Sequence, residues 1–555
     1  MWSVSTRPWK ALTRRSVVSR HLRASKLTAT FSNFTDLKNE KVMLQMNKWK
    51  QQEPIEKAKF LSVQVDRSAL KQPSGVLTST SLSMELPHGK SKENALVHVL
   101  RSMIEVKGPL TVAEFMTRAL SHPDHGYYMK KDVFGSKGDF TTAPEISQMF
   151  GELIAVWCIA TWQQMGMPSH IKIVEMGPGR GTLMTDFLRA AKSFPSFYNA
   201  IEIHMVDISP GMSTMDWEEG GHSAYWYLFC SLVLQAMRKI QQETLKCKPI
   251  NDTKVLENTM RLPDNGPMIR WHADFANVPH GPCLMIAQEL FDALPVHQFE
   301  YTDRGWCERL VDVDFEDGGD HFRFVLSPGP TPATRVYIGR EKLFDPTTAL
   351  SHVAETHISS VEDLKKMEET VIRRLDVADV AGTPVRTAQA QVGDRIEISP
   401  VSIALVQDMA KRIAQSGGGA LIVDYGYDHP SELSLRGIKN HEFVSVLREP
   451  GDVDLSIDVD FATLRRFATA EPKVQSIGPI GQGTFLKNMG IEHRLAMLLQ
   501  NTESDKIQQD LFSSYERLVG SEQMGTIFKV MALTHTDVGH PVGFEEISTD
   551  RAESK

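Results

Sequence analysis

Between Glu175 and Thr182 the chain reads Glu-Met-Gly-Pro-Gly-Arg-Gly-Thr. The apolar run Ile171-Lys172-Ile173-Val174 before it reads as a buried strand, and Thr182–Lys192 after it reads as a helix. Glycines at 177, 179 and 181 let the backbone turn with positive φ and let a ligand come close at a helix N-terminus. A dinucleotide-binding loop needs G-x-G-x-x-G. Here the third glycine follows after one residue, and Glu175 precedes the first. That spacing suits S-adenosyl-L-methionine, which has no phosphates to cradle. The plainer alternative is a tight strand-to-helix turn with no ligand.

Further carboxylates fall at the ends of the following strands. Asp207 ends Ile201–Val206, where a cofactor ribose expects an acceptor. Asp274, in Trp271-His272-Ala273-Asp274-Phe275, lies near the next loop and is the candidate for the adenine. Glu289 and Asp292 follow the apolar strand Cys283–Ala287, at the edge where α/β sheets bind ligands. Two carboxylates three residues apart can hold a guanidinium through paired, charge-assisted hydrogen bonds. The competing reading makes them a helix-start acid and a surface acid. His122, His125, His280 and His297 have no metal-site spacing such as H-E-x-x-H, and no metal is expected.

These residues need elements to carry them. Asn94–Ile104 and Val112–Leu120 have apolar residues at helical spacing. Thr142 and Glu145 form a capping-box pattern, with Pro144 in the first turn. A helix is expected from there through Ile146, Met149, Phe150, Leu153, Ile154 and Trp157. Trp306–Asp312 and His321–Leu326 look like strands of a β excursion. Ser399-Pro400 opens a helix running to Ala414 that stops at Gly417-Gly418-Gly419, before the buried strand Ala420–Asp424. Alternating strands and helices predict an α/β fold with a mostly parallel sheet.

The 555 residues are 41% apolar and 23% charged, enough to bury a core. Cys158, Cys230, Cys247, Cys283 and Cys307 show no C-x-x-C pair, which disfavours a disulfide scaffold or structural zinc. A net charge of −8 disfavours nucleic acid as partner. The longest apolar run, Ala224–Ala236, has thirteen residues and is too short to span a bilayer. Residues 1–35 carry seven Lys and Arg, many Ser and Thr, and no acid, the composition of a mitochondrial transit peptide. A disordered basic tail is the alternative. Without that segment the chain is more acidic still, which suits a cationic partner. Residues 36–92 read as a mostly disordered linker, with one helix around Asp36–Gln52, and 536–555 as a C-terminal tail.

Several stretches together carry a resemblance: His122–Tyr128, Gly138–Glu152, Glu175–Met184, Leu290–Val296, Asp452–Phe461, Gly483–Ile491 and Met524–Leu533. From about Glu93 to Leu533 the chain resembles the MidA-type mitochondrial complex I assembly factors, which are protein arginine methyltransferases. The resemblance implies a Rossmann-like seven-stranded methyltransferase domain over 93–535, with an N-terminal helical region, in the mitochondrial matrix. It implies an arginine of the 49-kDa-type core subunit of complex I as substrate and symmetric dimethylation, the type II outcome. Carried onto this chain, Glu175, Gly177, Gly179 and Gly181 bind S-adenosyl-L-methionine and Asp207 is the ribose acid. Gly138–Glu152 covers the cofactor and shapes the substrate entrance.

Arginine stays protonated to very high pH and is a poor nucleophile. Glu289 and Asp292 are therefore expected to orient one nitrogen and stabilise the cation as methyl arrives. Two rivals stand beside this reading: a small-molecule methyltransferase, and a non-enzymatic complex I assembly chaperone that keeps the fold. The chain departs from the family at Gln288, where His or Asn is commoner. It also has extra charged helical sequence at about 340–392. Gly211–Ala236 has no recognisable counterpart, and joining Pro210 to the helical pattern Met237–Leu245 restores a strand, turn and helix. We read that insert as translated unspliced sequence, ahead of a lid or a membrane-touching loop.

Overall fold

A computed structural model describes residues 93–129, 141–207, 237–250, 259–315, 320–338, 390–430 and 432–545. The expected leader 1–35, the linker 36–92, the insert 211–236, Gly138–Phe140 and all of 340–392 except its last three residues lie outside the described residues. Glu492–Phe512 belongs to a compact unit separate from the larger one that carries the site.

Seven strands form the heart of the larger unit: β1 (Ile171–Met176), β2 (Ile201–Val206), β3 (Met268–His272), β4 (Cys283–Gln288), β5 (Gly418–Tyr427), β6 (Val474–Gly481) and β7 (Phe528–His535). Their order is β6-β7-β5-β4-β1-β2-β3. The strands from β5 to β3 are mutually parallel, and β7 runs antiparallel to both β5 and β6. This is the Rossmann-like methyltransferase arrangement the sequence predicts. Among the described residues the sheet is larger than seven strands. Thr259–Arg261 and Lys248–Pro249 extend it beyond β3, and Val459–Asp460 pairs with the end of β5, making ten in all.

The strand sequences explain their place. β4 is buried at every position and β1 at all but one, as parallel strands covered on both faces must be. Helix Pro400–Ser416 contributes Val406, Met409 and Ile413 to the same core as Met285 of β4 and Ile422 of β5. It starts at Ser399, whose side chain accepts from Ser402 N, and ends at Gly417, as expected. Parallel registry puts the carboxyl ends of neighbouring strands side by side: Met176 lies opposite Val206 and Ala287, and Gln288 opposite Val423. Glu175, Asp207, Glu289 and Asp424 therefore share one edge of the sheet.

A second, antiparallel sheet contains Leu110–Thr111, His297–Thr302, Gly305–Val313, Phe322–Leu326 and Arg395–Ile398. Helices Ala95–Lys107 and Val112–Ser121 pack on it through Leu96, Leu100, Phe115 and Met116. They start at Asn94 and at a capping box of Thr111 with Glu114. A three-stranded sheet, Arg436–Lys439, Glu442–Val444 and Asp454–Ser456, joins the same core through Val453 and Leu455.

One expected helix is corrected. The stripe from Thr142 does not run unbroken: Ala143–Ile146 forms one turn, Ser147 is extended at φ −158° and ψ 138°, and a new helix spans Gln148–Gln164. Ser147 Oγ accepts from Met149 N and starts the second helix. Thr142 makes no side-chain cap bond. The first free N–H of the short turn, that of Ala143, has gone to another acceptor.

Candidate active site

The loop after β1 takes the shape its glycines permit. Gly177, Gly179 and Gly181 have φ of +66°, +50° and +82°, in the left-handed region that residues with a Cβ avoid. A Cβ on Gly177 would stand 3.0 Å from Leu290 Cδ1, whereas one on Gly179 would meet nothing within 4 Å. The loop therefore leaves open space over Gly179. Below it Glu175 is buried, and its Oε2 has no hydrogen-bond partner. Burial, and then the neighbouring Asp207, raise the Glu175 carboxyl well above the ordinary carboxylate range. An orphaned buried acceptor beside an open glycine loop fits a ligand that brings its own cation, as the ammonium of S-adenosyl-L-methionine does.

Asp207 closes β2, its N–H donating to His272 O at 3.2 Å. Burial pushes its carboxyl up to about 6, against a hydrogen bond from Gln241 and the charge of Arg238. Gln241 is fully buried in the helix over 237–244. Its Nε2 donates to Gly179 O at 2.8 Å and to Asp207 Oδ2 at 3.4 Å, and its Oε1 accepts from Trp271 Nε1 at 2.7 Å. One amide thus ties the glycine loop to the ends of β2 and β3. The sequence reading passed over it. Its signal was a polar residue on the apolar face of the helix right after the Asp207 strand. Asp274 is placed differently. It is exposed and accepts from Ala276 N at 2.8 Å, capping its own short turn, and makes no described contact with the loop.

Glu289 follows β4 with φ +48°, unusual for a residue with a side chain. Its N–H donates to Val423 O at 2.9 Å. Its Oε1 accepts from Ala143 N at 3.0 Å and from Gln288 Nε2 at 2.7 Å. The other amide atom, Gln288 Oε1, is buried without a partner. Burial pushes Glu289 up to about 7. The Ala143 N–H opposes this, and Asp292 adds to it. Burial also lifts Asp292 to about 6, against a hydrogen bond from Tyr425 and the charge of Arg436. Arg436 stacks over the Tyr425 ring at 4.8 Å and pairs with Asp458. Tyr425 also bonds Ser456, and Tyr128 donates to Asp454 Oδ1 at 3.3 Å, so the three-stranded sheet walls the Asp292 side. The glycine loop meets the β4 loop through Leu290, a residue between the two acids, whose side chain lies beside Gly177. Of these residues the sequence singled out Glu289 and Asp292. Tyr425, Arg436 and Tyr128 arrive from distant elements.

A family model describing S-adenosyl-L-methionine-dependent methyltransferases (Methyltransf_28) matches residues 153–219 and 233–480. The chain belongs to this methyltransferase family. Proteins similar to this chain include the protein arginine methyltransferase NDUFAF7, mitochondrial, of Mus musculus, 36% identical over 80% of this chain and 86% of that one. The Homo sapiens protein of the same name is 35% identical over 80% and 84%. The Drosophila melanogaster homologue is 34% identical over 83% and 92%. Among solved structures, a COG1565 superfamily protein from Burkholderia thailandensis, bound to S-adenosyl-homocysteine, aligns with a TM-score of 0.54 at 21% identity. That alignment covers 82% of this chain and 97% of the bacterial one, and it shares the fold. The methyltransferase uses S-adenosyl-L-methionine as cofactor. The family match leaves 220–232 unmatched, inside the segment that reads as an insert. Among the described residues no helix is long and apolar enough to cross a membrane, and no cluster of His, Cys, Asp and Glu could hold a metal ion.

Proposed function

We propose that this methyltransferase modifies protein arginine. In this reading it transfers methyl groups to an arginine of the 49-kDa-type core subunit of mitochondrial complex I, gives symmetric dimethylarginine, and supports assembly of that complex in the matrix. One observation carries the reading: two raised carboxylates, Glu289 and Asp292, flank Leu290 on the β4 loop, and Leu290 lies against Gly177 of the glycine loop. The name and 36% identity of the mouse relative supply the substrate class.

The cofactor supplies an electrophilic methyl on its sulfonium. Gly177, Gly179 and Gly181 hold it by close backbone approach, Glu175 takes its ammonium, and Asp207, tethered by Gln241, takes its ribose. Asp274 is the proposed adenine-side acid; its carboxylate accepts from Ala276 N. The chain's remaining task is alignment, since an in-line displacement depends on proximity and orientation. Glu289 holds one nitrogen of the guanidinium through the oxygen not taken by Ala143 and Gln288. When the C–N bond forms and the S–CH₃ bond breaks, the proton displaced from that nitrogen would pass to Glu289, while Asp292, oriented by Tyr425, balances the guanidinium charge. Both carboxylates shed their protons as the guanidinium enters, because a neighbouring cation favours the ionised form.

The test incubates the full chain with isotopically labelled S-adenosyl-L-methionine and the recombinant 49-kDa-type subunit. Peptide mass spectrometry and acid hydrolysis then look for symmetric dimethylarginine. Label in a small molecule, or binding of the subunit without transfer, would each overturn the proposal in favour of a different activity.

A further inference from the structure

Near its carboxyl end β5 carries Val423-Asp424-Tyr425, a triplet that the cofactor loop and the substrate carboxylates do not explain. All three grip the β4 loop. Val423 O accepts from Glu289 N at 2.9 Å. Asp424 Oδ2 accepts from three successive main-chain N–H groups: Leu290 at 3.1 Å, Phe291 at 2.9 Å and Asp292 at 3.3 Å. Its Oδ1 accepts from Tyr425 N at 2.9 Å. Tyr425 in turn bonds the Asp292 side chain.

Asp424 is fully buried, in a place where an unpaired carboxylate would be costly. Four N–H donors converge on it, and the described hydrogen bonds give it no other partner. A carboxylate at the start of the short turn Phe291–Ala293 meets the N–H groups that such a turn leaves free. The loop is short and contains a residue at positive φ, Glu289, so it would not hold this shape by itself. Backbone grip of this kind fixes the spacing and direction of two side chains at once.

We propose that Asp424 is the positioning residue of the methyl transfer: its carboxylate holds the loop 289–292 so that Glu289 and Asp292 converge on one acceptor group. Asp424 is closed off from solvent, and its described hydrogen bonds go to the β4 loop and to Tyr425. Its influence on rate passes through the two carboxylates that it spaces. The inference rests on the proposed role of Glu289 and Asp292.

The first experiment replaces Asp424 by Asn in the full chain. Asn offers one acceptor oxygen where four N–H groups need two. Single-turnover transfer to the arginine substrate should fall at least tenfold, with the Kd for S-adenosyl-L-methionine within threefold of wild type. Asp424→Glu keeps the carboxyl group but moves it by one methylene, and transfer should also fall. Wild-type transfer in either variant overturns the proposal. So does a loss of cofactor affinity in step with the rate, which would make Asp424 a support of the whole fold. Should both variants fail to fold, amide hydrogen exchange in the wild-type chain decides. The amides of 290–292 should exchange as slowly as those of β4, and exchange at the rate of an open loop sinks the idea. If wild-type protein methylates no arginine, the proposed function fails, while the exchange result still judges the grip of Asp424.

Discussion

The main-chain N–H of Ala143 donates to Glu289 Oε1 at 3.0 Å. The turn that begins the Gln148–Gln164 segment thus docks by its N-terminus on the β4 loop, two elements far apart in sequence. Both described donors sit on Oε1, and the bond joins the segment proposed to cover the cofactor to the carboxylate proposed to hold the substrate.

From this follows the effect of Glu289→Gln. The amide keeps the shape but loses the charge: its oxygen can still accept from Ala143 and Gln288, which puts its NH₂ group where a guanidinium needs an acceptor. Loss of one partner of a desolvated guanidinium typically costs about 2–5 kcal/mol, roughly thirty-fold to several thousand-fold in rate. Turnover should fall on that scale while cofactor affinity, set at the β1 and β2 edges, stays near wild type. Calorimetry for the cofactor and methyl counting for the reaction separate the two. Unchanged rates in both Glu289→Gln and Asp292→Asn would move the clamp to another acid, with Glu145 next in line.

Proton release on substrate binding should betray the same site. Glu289 is pushed up to about 7 from an ordinary 4.5, so near neutral pH the free protein holds about half a proton there. A guanidinium lowers that value, and the proton leaves. Titrations with an arginine peptide in two buffers of different ionisation heat should report net release at pH 7, with affinity rising from pH 6 to 8. Glu289→Gln should abolish most of it. Folding stability responds with the opposite sign. A carboxyl raised in the folded state adds stability below about 4.5 that is lost as pH rises through about 7. Binding without proton release would place the guanidinium elsewhere.

Gly179→Val is the cleanest test of the cofactor loop. Its Cβ meets no protein atom within 4 Å, so the added methyls enter the space proposed for the ligand. Positive φ at +50° adds strain of about 1–2 kcal/mol, which a folded domain of this size survives. Cofactor binding should disappear with the melting transition still cooperative. Gly177→Val is less clean because its Cβ presses on Leu290 Cδ1 at 3.0 Å and can also shift the β4 loop. Wild-type affinity in Gly179→Val would remove the loop from the site.

Gln241→Leu should weaken cofactor binding from the opposite wall. It leaves the buried Trp271 Nε1–H and Gly179 O without partners, at about 1–3 kcal/mol for each group left unsatisfied. It also removes the amide that donates to Asp207. Affinity should fall about tenfold or more, and Trp271→Phe, which removes only the indole donor, should fall less. Equal affinities in all three proteins would leave Gln241 as packing alone.

The contrast between Gly179 and Gln241 shows which parts of the site the sequence could declare. The glycine loop, Asp207 and Glu289 lie at strand ends, and strand ends follow from local apolar runs and the residues that stop them. Gln241 matters through partners 62, 34 and 30 residues away, and no local pattern reports those. Asp424 looked like the end of one more buried strand. Its function appears only when β5 and β4 lie side by side, with Val423 opposite Gln288. The break at Ser147 was hidden for a related reason. The capping-box pattern at Thr142 is intact in sequence, but the turn it opens ends at Ile146: its Ala143 N–H is held by distant Glu289, Glu145 N donates to Thr142 O, and Ser147 starts a new helix.

Deletion of Gly211–Ala236 follows from where Gln241 sits. The insert begins just after Asp207, and the family match leaves 220–232 unmatched. Every described bond that shapes the cofactor side of Asp207 comes from the helix over 237–244 or from β3, beyond the insert. Joining Pro210 to Met237 keeps that helix, with Ser209-Pro210 as a ready start: a capping hydroxyl, then a ring whose φ suits a first turn. It also removes the exposed-prone run Tyr225-Trp226-Tyr227-Leu228-Phe229. The shortened chain should bind S-adenosyl-L-methionine within a fewfold of the full chain, methylate as fast or faster, and be more soluble. Transcripts from the source organism should mostly lack the corresponding sequence. Loss of cofactor binding in the shortened chain, together with transcripts that retain the segment, would make 211–236 a working part of the enzyme.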